Sequence, residues 1–101
     1  MTVDELFAAA SDHDLPPDLI PLLRALWLDA RGDWAGAHRI AQDEASRDGA
    51  WVHAYLHRKE GDGANAAYWY RQAKRPEADG AFDEEWRMLA SELISRSIPA
   101  V

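Results

Sequence analysis

The sequence predicts an all-α fold, a six-helix array in which two central helical hairpins are flanked by capping helices. Three observations lead there. Nearly a fifth of the residues are alanine, while β-branched residues are few and never alternate with polar ones over a strand's length. Breakers at 11–17, 32–33, 48–49, 61–63 and 76–80 divide the chain into stretches of helical length joined by short turns. A Gly-Asp pair stands at two of those breaks, Gly32-Asp33 and Gly61-Asp62.

Each element has its own signal. Thr2 and Glu5 have capping-box spacing and open a short first helix to about Ala10, with Leu6, Phe7 and Ala10 on its apolar side. Asp18 is the expected cap of the second, Leu19 to about Arg31, because Pro21 then falls in the first turn, where a missing donor costs nothing. Asp33 caps the third, Trp34 to about Ser46, in which Ala37 and Ala41 allow close helix approach. Asp48 is the expected cap of the fourth, Gly49 to Glu60, and Gly61 ends it where a left-handed residue is needed. Asp62 caps the fifth, which runs to about Lys74 and cannot pass Pro76. The sixth, about 82–96, carries Phe82, Trp86, Leu89, Ala90 and Leu93 on one stripe, as suits a helix covering an open core.

Composition bounds the function. The chain has 101 residues, which is one domain, and a domain of this size buries roughly two-thirds of its unfolded surface. No cysteine is present, so thiol catalysis, disulfides and thiolate zinc sites are excluded. The net charge of −7, without a basic cluster, argues against nucleic acid or anionic membrane as a partner. No apolar run approaches a membrane span and the N-terminus lacks the pattern of a signal peptide, so a soluble, cytoplasmic protein is expected.

Sliding the chain over itself by 29 residues superimposes Ala25 on Ala54, Gly32-Asp33 on Gly61-Asp62, Ala35 on Ala64 and Ala37 on Ala66. Apolar character agrees at Leu22 with Trp51, Leu23 with Val52, Trp27 with Leu56 and Ile40 with Trp69. With Ala54, Gly61-Asp62, Ala66, Tyr70 and Ala73 at their spacing, the second copy (about 49–75) resembles a tetratricopeptide-type repeat. The first copy (about 19–45) keeps Ala25, Gly32-Asp33-Trp34 and Ala37 but has Ala41 and Glu44 where the later aromatic and alanine would stand. The resemblance implies a non-enzymatic module that binds a protein or peptide partner on a concave face. On that face it would set Trp51, Tyr55, Arg58 and Lys59 from the second copy beside Leu22, Leu26 and Asp29 from the first, the competing reading being that the first helix lies over this surface and leaves Arg58 and Lys59 merely solvated. Tyr68, Trp69 and Tyr70 point about 100° apart on their helix and cannot share one core. Trp69 and Tyr70 are expected to fill the hairpin, leaving Tyr68 at the edge, where with Arg71 it can join a binding face.

An alternative of another class starts from His53 and His57, four apart on one helix face that Glu60 continues. Two imidazoles and a carboxylate can hold a metal ion, with His38 as a third imidazole. The competing structural reading makes the two histidines half-buried spacers, hydrogen-bonded to a carbonyl, to Tyr68 or to a carboxylate. Asp12-His13-Asp14 reads as a solvated turn. No nucleophile elbow, phosphate-cradling loop or catalytic carboxylate pair is present, so neither enzymatic activity nor a cofactor is expected. Five tryptophans and three tyrosines exceed what two alanine-seamed hairpins would enclose, and with the apolar tail Ile98–Val101 they predict a homodimer.

Overall fold

The computed structural model describes residues 1–11 and 19–97 and holds six α-helices within them: α1 (Val3–Ser11), α2 (Pro21–Ala30), α3 (Trp34–Asp43), α4 (Arg47–Lys59), α5 (Gly63–Ala73) and α6 (Phe82–Ser97). The expected Asp18 cap, the Asp12–Asp14 turn and the 98–101 tail lie outside the described residues.

The N-terminal capping box forms in both directions. Thr2 N donates to Glu5 Oε1 at 3.0 Å, and Glu5 N donates to Thr2 Oγ1 at 3.1 Å. α2 begins later than expected, because Ile20 precedes Pro21 and is extended, at φ −64° and ψ 154°. The cap of α4 is Ser46 rather than Asp48: Ser46 Oγ accepts from Gly49 N at 3.0 Å, and Asp48 falls in the first turn. α3 accordingly stops at Asp43, since Glu44 must turn extended for Ser46 to serve the next helix.

The two Gly-Asp turns are nearly the same object. Gly32 and Gly61 have φ of 88° and 89°, a region that a side chain on Cα disfavours. Asp33 N donates to Leu28 O and Asp62 N to His57 O, both at 2.9 Å. The Asp33 and Asp62 carboxylates then accept from Gly36 N and Asn65 N, capping α3 and α5.

Each helix from α1 to α5 packs on its neighbour in the chain, and α6 turns back across α1, α2 and α4. Leu22 and Leu26 of α2, Trp51, Val52, Tyr55 and Leu56 of α4, and Trp86, Leu89 and Leu93 of α6 form one continuous core with Leu6 of α1. Burying each of these larger side chains contributes about 1.5–3 kcal/mol. Trp86 Nε1 also donates to Leu26 O at 3.0 Å, which fixes the crossing of α6 over α2. Trp27, Trp51, Trp86, Tyr55 and Tyr70 are enclosed, and Trp34 and Trp69 are partly so. The aromatic surplus invoked for a dimer is thus largely absorbed within one chain. Among the described residues, no helix is long and apolar enough to cross a membrane.

Candidate metal centre

The face expected to meet a partner is covered by the chain's own α6. Leu26, Asp29, Trp51 and Tyr55, all assigned to that face, are at most 4% exposed. The sequence pattern reads this face as an aromatic and basic patch; its aromatic part is buried by α6 as core. Arg58 and Lys59 reach out of it, and their cationic ends are engaged. Arg58 pairs with Glu85 at 3.0 Å and Lys59 with Asp29 at 2.9 Å. Tyr68 is exposed on α5, with the Arg71 guanidinium 6.0 Å from its ring centre, as expected for an edge residue.

Two buried carboxylates organise this interior. Glu85 of α6 accepts from Tyr70 Oη at 2.6 Å and Trp51 Nε1 at 3.2 Å, in addition to Arg58. Asp29 of α2 accepts from Tyr55 Oη at 2.6 Å and from Lys59. Burial, reinforced by the neighbouring carboxylate in each case, pushes both phenols well above the usual tyrosine range, so they stay protonated donors. No local pattern in the sequence marks Glu85, in the first turn of α6, as the group that joins that helix to α4 and α5.

On the opposite side of α4, three imidazoles converge. His53 and His57 stack along that helix with ring centres 4.8 Å apart, and His38 of α3 meets them edge-on at 4.6 and 5.0 Å. One ring nitrogen from each lies within 4.8 Å of the others. His53 and His38 share a hydrogen between their Nε2 atoms at 2.9 Å, so one is donor and the other acceptor. His57 Nδ1 lies 2.7 Å from Glu60 Oε1. Trp34 stacks on His38 at 4.8 Å and Trp69 on His53 at 4.1 Å. Trp34 is itself pinned, its Nε1 donating to Leu56 O at 2.8 Å.

The electrostatics favour the neutral form of His53 and His38. Burial, then the nearby His38 and His57, pushes His53 down to about 4, and burial with His57 also lowers His38. Neutral imidazole is the form that ligates a metal.

No family model, curated protein or solved structure matches the chain.

The residues present suit a first-row divalent ion. Imidazole ligands serve zinc, copper and nickel, and zinc–nitrogen bonds of about 2.0–2.1 Å set tetrahedral nitrogens roughly 3.3 Å apart. Holding an ion there displaces the hydrogen shared by His38 and His53, widens that pair by a few tenths of an ångström and draws in the His57 nitrogen, which lies within 4.8 Å. Glu60, expected as a ligand beside His53 and His57, instead lies against His57 Nδ1. A hydrogen donated there leaves Nε2 with its lone pair, the arrangement in which a carboxylate orients a ligating histidine. The i, i+4 spacing marks His53 and His57, and the sequence offers His38 as the third imidazole, but the register of α3 against α4 that brings it up is not encoded in any local pattern.

Proposed function

We propose that this protein binds a divalent transition-metal ion through His38, His53 and His57, with Glu60 orienting His57. The observation that carries the proposal is the convergence of three imidazole nitrogens within 4.8 Å on two packed helices. The function is binding, and no reaction is assigned to it. A ligand that binds only the native state stabilises it by about 2.7 kcal/mol at 100 times its Kd. Zinc or nickel is therefore expected to raise the thermal midpoint of the wild type. The partly exposed His38, changed to Ala, leaves the core intact and is expected to lose most of that rise. Equilibrium dialysis with no metal retained by the wild type would overturn the proposal.

The matched geometry of the two Gly-Asp turns favours a second reading. In it, α2–α3 and α4–α5 are two copies of a tetratricopeptide-type hairpin, and a protein or peptide partner docks on the residues left accessible, Tyr68 and Arg71 foremost. Recovery of partners from extract on the wild type, lost with Tyr68→Ala and Arg71→Ala, is its expected result. Unchanged recovery on those variants would remove that surface.

A further inference from the structure

We infer that an ion held by His38, His53 and His57 keeps a fourth coordination position open to solvent, where water binds and small anions exchange with it. The inference rests on the metal-binding reading of the same trio and concerns what the bound ion does next.

The donor count comes first. Among the described residues, no fourth imidazole or carboxylate completes the group of three. The two nearest carboxylates are committed elsewhere: Glu60 to His57 Nδ1 at 2.7 Å, and Asp62 to Asn65, whose backbone N lies 3.2 Å and side-chain Nδ2 2.7 Å from its oxygens. Structural zinc sites are closed by four protein ligands, whereas three protein ligands leave a position for an external one.

Access comes second. His38 is only partly buried while His53 and His57 are buried, so solvent approaches the site from the His38 side. A groove of about 400 Å³, lined in part by Gln42, Ser46, Trp69 and Gln72, also reaches His53. Charge comes third. Three neutral ligands leave the ion its full double positive charge, which draws anions and acidifies coordinated water. Trp34 and Trp69 hold the rings of His38 and His53 by stacking, so the ligands do not swing out to make a different set.

Cobalt(II) reports this directly, because its visible absorption depends on coordination number and ligand identity. The full-length protein is loaded with cobalt, desalted, assayed for retained metal and titrated with sodium azide. The expected result is a saturable change in the visible bands with cobalt still bound after dialysis. If no cobalt is retained, the metal-binding reading itself falls. Retained cobalt whose spectrum ignores azide overturns the open position alone, as does loss of the metal to azide. A Glu60→Gln protein that responds where the wild type does not would identify Glu60 as the fourth ligand, and would equally overturn the inference.

Discussion

Glu85 on α6 accepts the Tyr70 hydroxyl of α5 at 2.6 Å, in a position where the carboxylate is only 5% exposed. The same group takes Trp51 Nε1 and Arg58. Removing it leaves an indole N–H and a phenol without their acceptor and strips Arg58 of its buried counter-charge, leaving the guanidinium its bond to the Gly80 carbonyl. Glu85→Ala is expected to cost about 3–5 kcal/mol, as for breaking one side of a buried ion pair. Tyr70→Phe, which removes a single bond to a charged group, is expected to cost about 1.5–3 kcal/mol. Urea unfolding of the two variants checks the ranking, and a Glu85→Ala loss smaller than that of Tyr70→Phe would contradict it.

Stability of the metal-free protein is expected to fall as the pH drops through the window from about 6.5 to about 4. His53 takes up a proton near 6.5 in the unfolded chain but only at about 4 in the fold, where burial and the facing His38 and His57 oppose its charge. The unfolded state therefore binds more protons across that interval, and protonation pulls the equilibrium toward unfolding. Glu60 and Asp62 face the neighbouring His57 and do not reverse the sign for His53. Thermal midpoints measured at intervals between pH 8 and pH 4 test this. A His53→Gln protein should show a flatter profile through the same interval, and an unchanged slope would reject the assignment.

Gly49 and Gly61 are expected to respond to alanine for different reasons and by different amounts. At Gly61 a Cβ meets nothing within 4 Å, so the cost is the backbone strain of φ 89° alone, about 1–2 kcal/mol. At Gly49, inside α4, helix propensity would favour alanine by about 1 kcal/mol. A Cβ there would instead stand 2.2 Å from the Glu44 carbonyl oxygen, a backbone atom that cannot move without displacing the α3–α4 turn. Gly49→Ala is therefore expected to be the more damaging, by chemical denaturation, and a stabilised variant would show that the turn yields freely.

Copper(II) or nickel(II) is expected to quench a substantial part of the intrinsic tryptophan fluorescence. Trp34 and Trp69 lie in ring contact with His38 and His53, close enough to a bound ion for efficient quenching. A protein carrying both Trp34→Phe and Trp69→Phe should retain metal but lose most of the quenching, as judged by fluorescence titration beside dialysis. Undiminished quenching would locate the ion away from the three histidines.

Local features carried most of the fold. Thr2 with Glu5, Gly32-Asp33 and Gly61-Asp62 act within four residues of themselves, so their spacing alone determines what they do, and the structure has each of them doing it. Asp48, the expected cap, gives way to Ser46 two residues earlier, because the chain turns out of α3 already at Glu44. Burial of Trp51 and Tyr55 depends on where α6 lands, a contact between residues more than thirty apart that no periodicity reports. His38 belongs to the same class. Its position on α3 was plain, while its meeting with His53 and His57 follows from helix register across the turn at Glu44–Ser46.

The return of α6 over α2 and α4 also bears on how the chain emerges from the ribosome. Until residues 82–97 have emerged, Trp51, Tyr55 and Leu26 lack the cover that α6 gives them, although α1 to α5 can already pair with their neighbours. A nascent chain at that stage carries a broad sticky aromatic face, the kind of surface on which chaperones act and partly made domains aggregate. Acquisition of cooperative folding is thereby tied to the arrival of Glu85, Trp86, Leu89 and Leu93. Ribosome-stalled chains with α6 still inside the exit tunnel should be more protease-sensitive than chains in which a C-terminal linker has let α6 emerge.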